Sequence, residues 1–432
     1  MKIYIIMIWL CIGQSVVGQS SYFPPITGDQ WEKISPSDLG WCQNQIDNLD
    51  TFLVEKGTKA IIILKKGKIV KETYYGTFTR DSSWYWASAG KSLTSFLLGM
   101  AQEKGLLNIQ DKSSKYLGIG WTSMTPDQED KITLWHQMTM TTGLDDNVSD
   151  DNCMTPVCLK YKAEAGTRWA YHNAPYRLTQ DVVAKAWGKS YQNFMTSQLS
   201  PKTGINGIWI DYIMYSKPRS MARFGLLVLN KGMWNGQKIL GDLAFLDASV
   251  SPSQTINKSY GMLWWLNGQP SFMIPDLQTV FNGSLIPNAP NDMYCALGKN
   301  DQKIYIIPSL DMVIIRMGND GGQITGAVSS FDNLLWAKIN ALTCVSSVSE
   351  YNHNNDFNIS PNPFNQTVSI TCHANDIHYF DIKNVHGTVL ANGVLNNKQK
   401  VELDLNLPSG VYFLCVKNSF GKQILIKKMV QL

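Results

Sequence analysis

Trp86-Ala87-Ser88-Ala89-Gly90-Lys91 is followed by apolar residues at Leu93, Phe96, Leu97 and Met100. That spacing predicts a helix from about Ala89 to Lys104, stopped by Gly105. A serine at the helix start and a lysine three residues on share one face of the first turn. The Lys91 nitrogen can therefore reach the Ser88 hydroxyl. As a free amine it can take the hydroxyl proton; as a cation it can lower the pKa of a second base. The helix N-terminus favours negative charge developing there. The plainer reading of S-x-x-K is an N-cap serine beside a surface lysine. Gly90-Lys91-Ser92 also imitates the end of a phosphate-binding loop. That loop needs a glycine where Tyr85 stands, and without it backbone amides cannot wrap a phosphate.

About eighty residues later comes Gly166-Thr167-Arg168-Trp169-Ala170-Tyr171-His172-Asn173. Tyr171 and Asn173, two apart in a loop entering a helix, can face one cleft. A tyrosine near a lysine can serve as a general base once its phenol pKa is lowered, and Asn173 can hold the lysine or a substrate amide. A packed aromatic with a satisfied hydroxyl is the alternative for Tyr171. His172 reads as loop structure rather than as the base.

Around these motifs, Leu39, Ile46, Leu49 and Leu53 predict a helix within Ser37 to Gly57. Ala60 to Gly76 predicts a hairpin: AIIIL, a KKGK turn, then IVKETYY. Further helices are expected near Pro175–Trp187, Pro218–Lys231 and Phe331–Leu342. KIYII and MVIIRMG flank Pro308-Ser309-Leu310-Asp311 as a second hairpin. The order implies a sheet with strands from both ends of the region and a mostly helical insertion. The polar stretch after Cys344, VSSVSEYNHNNDF, reads as a linker. From there to Leu432 the chain is short alternating strands, a small all-β module.

The chain has 432 residues, of which 44% are hydrophobic, enough for a sizeable core and against a disordered chain. A net charge of +4 without a long basic run argues against nucleic-acid binding as the main task. Lys2, the apolar run Ile3–Ile12, and Val16 and Gly18 before Gln19 form a secretory signal pattern; an uncleaved anchor is the alternative. No other stretch of about 18 apolar residues exists, so no stable transmembrane segment is expected. Export places Cys42, Cys153, Cys158, Cys295, Cys344, Cys372 and Cys415 where disulfides persist. Cys153 and Cys158 can bridge one loop, and Cys372 and Cys415 can pair in the C-terminal module. With no C-x-x-C pair and no H-E-x-x-H, no metal is expected, nor any other cofactor.

Ser88 with Lys91, and Tyr171 with Asn173, resemble the serine β-lactamase and penicillin-binding-protein superfamily. More narrowly, the chain resembles its class C-related esterases, D-amino-acid peptidases and 6-aminohexanoate-dimer hydrolases. ITLWHQMTMTTGL at Ile132–Leu144 and SMARFGLLVLNKGMWNG at Ser220–Gly236 support the likeness, which spans Ser37 to Leu342. It implies an α+β fold: an antiparallel sheet flanked by helices, with a helical subdomain. It also implies roles. Ser88 is the acylated nucleophile. Lys91 and Tyr171 activate it, Tyr171 passes a proton to the leaving group, and Asn173 orients substrate. The Ser88 amide supplies half an oxyanion hole. The third motif departs from the K-T-G or histidine-glycine pattern and reads Gly298-Lys299-Asn300-Asp301-Gln302. Lys299 can replace the cation that meets a substrate carboxylate, Asp301 stands where small residues are usual, and the strand amide near Gln302 is expected to complete the oxyanion hole. This departure, together with His172, tells against classical β-lactam turnover.

ISPNPFNQTVSI, DIKNVHGTVL and LPSGVYFLCVKNSFGKQILIKKMVQL resemble a type A sorting domain of the type IX secretion system; a small carbohydrate-binding or adhesive module is the alternative. The expected division is a signal peptide at 1–18, a hydrolase domain at 19–344, a linker at 345–356 and a sorting sandwich at 357–432. The expected protein is a serine hydrolase, exported through the periplasm to the medium or cell surface, whose partners are an ester or amide substrate and the type IX machinery. Esters, D-amino-acid peptides, linear amides and β-lactams all remain open as substrates. A non-catalytic surface protein retaining the fold is the competing reading. Trp84, Trp86 and Trp169 fit either a flat ligand or core packing.

Overall fold

The computed structural model describes residues 21–343 and 356–432, apart from 323, 326–327, 374–376, 386, 397 and 419–422. The N-terminal signal pattern and most of the linker lie outside the described residues. The chain divides into two units at the 343/344 junction.

The first unit is built on a six-stranded sheet. Its elements are α1 (Gln43–Glu55), β1 (Thr58–Lys65), β2 (Lys68–Tyr74), α2 (Gly90–Glu103), α3 (Asn173–Trp187), α4 (Pro218–Leu229), β3 (Trp265–Leu266), β4 (Tyr294–Gly298), β5 (Gln302–Ile307), β6 (Met312–Gly318) and α5 (Ser330–Asn340), with shorter pieces between them. The strand order is β2-β1-β6-β5-β4-β3, every neighbouring pair antiparallel. The sheet thus joins strands from both ends of the unit, and α2 to α4 form the insertion between them.

Ile61 to Leu64 are at most 1% exposed, because the sheet is covered on both faces. Strand alternation sorts the two coverings. On one face Val313 and Ile304 meet α4. A Cβ at Gly225 of α4 would stand 2.4 Å from Val313 Cγ1, so glycine sets how closely that helix approaches. On the other face the Arg316 guanidinium lies 4.6 Å from the Phe331 ring of α5, and Phe331 stacks on Phe52 of α1 at 5.7 Å. Helix α2 is buried from Gly90 to Ala101, as expected of a helix at the centre of a domain.

The second unit is a sandwich. Phe357–Ser360, Thr367–Cys372 and Lys400–Asp404 form one sheet; Val389–Leu395, His378–Asn384, Gly410–Asn418 and Gln423–Gln431 form the other. Val368, Ile370, Phe380, Ile382, Leu414 and Val416 from both sheets share one core. The expected Cys372–Cys415 bridge is not there. Cys372 joins that core, whereas Cys415 alternates with the core residues Leu414 and Val416 and so faces the other side of its sheet. The Cys153–Cys158 bridge is present, and Cys42 is also disulfide-bonded.

Candidate active site

Ser88 sits on a single 3-10 turn, Ala87–Ala89, that leads into α2. The turn is held from outside the helix. Trp84 and Tyr85 pair with Ser216 and Tyr215, Trp86 N–H donates to Met214 O at 2.8 Å, and Trp86 Nε1 donates to Ser216 Oγ at 2.8 Å. Ala87 takes a left-handed φ of 47°, uncommon without glycine, which turns the serine out of the chain path. Gly298, the last residue of β4, lies directly against this turn. A Cβ there would stand 2.4 Å from Trp86 O and 2.9 Å from Ala89 N.

Lys91 is only 4% exposed, with its Nζ 3.2 Å from Ser88 Oγ. It also donates to Asn173 Oδ1 at 2.7 Å. The Tyr171 and Tyr176 rings lie 5.1 and 4.1 Å from the nitrogen. Burial pulls the Lys91 pKa down to about 7; the negative charge of Asp151 opposes this and Arg177 adds to it. The lysine is therefore an amine for much of the time at neutral pH.

Tyr171 lines the same cavity as Ser88, and its ring is clamped by Trp265 of β3, stacked at 5.8 Å. Burial pushes its phenol up, more than the nearby Ser88 hydroxyl lowers it. The shift expected for Tyr171 from the sequence was downward; burial moves its phenol the other way, while the Lys91 ammonium is the group moved down.

Ser88, Lys91, Tyr171, Asn173 and Lys299 converge on one cavity of about 490 Å³, also lined by Asp151, Tyr176, Arg177, Tyr212 and Asp276. Gln302 does not reach it. Its side chain is buried on β5, donating to Asn300 O and Gly318 O at 2.7 Å each and accepting from Gly318 N–H at 3.1 Å. The register explains this correction: Gln302 pairs across from Gly298, so it lies one strand beyond the residue that touches the nucleophile turn. Asp301 also turns away from the site. Its carboxylate meets Ser329 Oγ at 2.5 Å, Gly321 N–H at 2.8 Å and Lys303 Nζ at 3.1 Å. It therefore does not crowd the cavity.

Trp86 and Trp169 are core residues, 0% and 1% exposed, so the aromatic walls of the cavity are tyrosines instead. His172 is buried at the N-cap of α3, with neither ring nitrogen meeting a protein partner among the described residues, and burial holds it neutral. Asp151 went unnoticed in the sequence. Its one sign was the run Asp150-Asp151-Asn152-Cys153 leading into the disulfide loop.

Residues 53–334 match the family model described as Beta-lactamase. The chain belongs to the beta-lactamase family. Residues 358–431 match the secretion system C-terminal sorting domain, so this member of the beta-lactamase family carries a tail that marks it for secretion or the cell surface. An uncharacterized protein of Alkalihalophilus pseudofirmus is 23% identical over 315 residues, which are 63% of this chain and 87% of that protein. A Bacillus anthracis protein provisionally named a 6-aminohexanoate-dimer hydrolase superposes with a TM-score of 0.56 at 18% identity, covering 74% of this chain and 88% of the other. A class C beta-lactamase gives 0.52 at 16% identity, covering 69% and 96%. At these identities the structural likeness speaks for the fold, and the chemistry must come from the site.

Proposed function

We propose that the chain is an exported hydrolase that cleaves an ester or linear amide bond through an acyl-enzyme on Ser88. The observation that carries this reading is the buried Lys91 nitrogen, 3.2 Å from Ser88 Oγ and neutralised near pH 7. In the proposed cycle Lys91 takes the Ser88 proton as Oγ attacks the carbonyl carbon. A positioned base of this kind contributes about 10²–10⁴-fold. Negative charge then gathers on the carbonyl oxygen. The backbone N–H groups of Ser88 and Lys299, two residues that line the cavity, are proposed to receive it. Tyr171, held protonated, gives its proton to the leaving group and regains one from Lys91. Water then releases the acid from Ser88.

The exposed Lys299 at the cavity suits a substrate carrying a carboxylate. The N-terminal signal and the C-terminal module together fit export through the periplasm and reading by the type IX machinery.

The test is a substrate panel on purified protein: short p-nitrophenyl esters, linear amides, D-Ala peptides and nitrocefin. Ester cleavage is expected, with kcat/KM rising with pH through about 7 as Lys91 loses its proton, and with weak nitrocefin turnover. Fast nitrocefin hydrolysis would overturn the ester preference. A flat pH profile between 5 and 9 would remove Lys91 from its role.

A further inference from the structure

We propose that Asp151 is a positioning residue of this site: its carboxylate decides which way the Asn173 amide faces, and so where and in what charge state the Lys91 nitrogen is held. This rests on the reading of Ser88 and Lys91 as the acylating pair. Asn173 Nδ2 donates to Asp151 Oδ2 at 2.6 Å, and Asn173 Oδ1 accepts from Lys91 Nζ at 2.7 Å. A primary amide has nearly the same shape either way round, so its neighbours choose its orientation. A carboxylate only accepts hydrogen bonds, so the amide nitrogen must face Asp151 and the oxygen must face Lys91. That choice matters once Lys91 is an amine. The amide oxygen occupies one of its N–H groups and leaves the lone pair for the Ser88 proton. A reversed amide would instead donate to the lone pair and compete with Ser88.

The loop that bears Asp151 is fastened to the site. Asp151 O accepts from Ala174 N–H in the first turn of α3 at 2.8 Å. Its Oδ1 accepts from Asn152 Nδ2 at 2.9 Å, so both carboxylate oxygens are engaged. Cys153 N–H donates to Asp150 O at 3.1 Å, and the Cys153–Cys158 disulfide closes the turn that follows. The groups facing Lys91 are then Ser88 on its own turn, Tyr171, Asn173, Tyr176 and Arg177 from α3 and its approach, and Asp151 from this loop. Arg177 is paired with Asp211 at 2.7 Å. Asp151 is the negative charge that resists the loss of the Lys91 proton.

The test compares wild type, Asp151→Asn and Asp151→Glu in the full chain. The first readout is independent of activity: NMR titration of Lys91 Cε in ¹³C-lysine-labelled protein, its signal assigned by its loss in Lys91→Met. The Lys91 midpoint is expected to fall by about one pH unit in Asp151→Asn, the lower bound for a nearby carboxylate. The acid limb of kcat/KM on p-nitrophenyl butyrate should move down by the same amount, and plateau kcat should fall about tenfold. Asp151→Glu should restore the midpoint. Should Asp151→Asn not fold, Asp151→Ser carries the same comparison. An unmoved Lys91 midpoint in a folded variant would overturn the proposal. So would lost activity with an unmoved acid limb, since that would leave Asp151 only holding its loop. If wild type turns over no substrate, the acyl-enzyme reading fails, while the NMR midpoint still decides the role of Asp151.

Discussion

Lys91→Met is expected to lower kcat/KM on a p-nitrophenyl ester by about 10³-fold without lowering thermal stability. The two halves of this expectation have one cause. Lys91 is almost wholly buried, and its polar partners are one hydroxyl and one amide oxygen. Removing a desolvated amine and filling its place with an unbranched apolar side chain relieves the cost of burying the charge. In the proposed cycle the same change also takes away the group that accepts the Ser88 proton. A site that keeps such a lysine gives up stability for reactivity, the usual exchange at a catalytic centre. Kinetics and a melting curve on one preparation check it. A large loss of Tm with kcat/KM reduced in proportion to the unfolded fraction would mean that Lys91 is a structural residue.

The second large effect lies beside the site. Lys303→Met should cost about 3–5 kcal/mol of stability at pH 7, read from urea unfolding. Lys303 is 0% exposed and bridges Asp301 at 3.1 Å and Asp332 at 2.9 Å, both acids nearly as buried. Tyr305 OH adds a 2.5 Å bond to Asp332. Burial alone would raise the Asp301 pKa, but the Lys303 charge and the Ser329 and Gly321 hydrogen bonds outweigh it and hold it low. A carboxylate with a lowered folded pKa stabilises the protein above its unfolded pKa, and that stabilisation is lost as pH falls. In Lys303→Met the largest part of the lowering is removed, so the deficit against wild type should be larger at pH 7 than at pH 4. A deficit under about 1 kcal/mol at pH 7 would show that the acids find other partners. This network also accounts for the unusual third motif: Asp301 serves the packing of β5 against α5 and leaves Lys299 alone to face the cavity.

How far the sequence reached depended on whether the signal was local. Ser88 and Lys91 share a helical turn, and Tyr171 and Asn173 flank a helix start, so each pair was legible from spacing. The sheet with strands from both ends followed from two apolar hairpins separated by helical periodicity. The failures were matters of register and of side-chain direction. Gln302 is a few residues from Lys299 in sequence, yet the hairpin returns it to the neighbouring strand, facing Gly318. Cys415 lies one residue from core positions and faces the other way. Asp151 is twenty-two residues from Asn173, and a disulfide-closed loop, which has no periodicity, brings them together. The direction of the Tyr171 pKa depended on its burial among Trp265 and Tyr260, which spacing does not report.

The central claim is that Ser88 is a nucleophile activated by its surroundings. The most direct measurement is labelling with a fluorophosphonate probe at pH 8, followed by mass mapping of the modified peptide. The account predicts one adduct per chain, on Ser88, that is absent in Ser88→Ala and strongly slowed in Lys91→Met. Folded wild-type protein that takes up no probe, or that carries it on another residue, would contradict it.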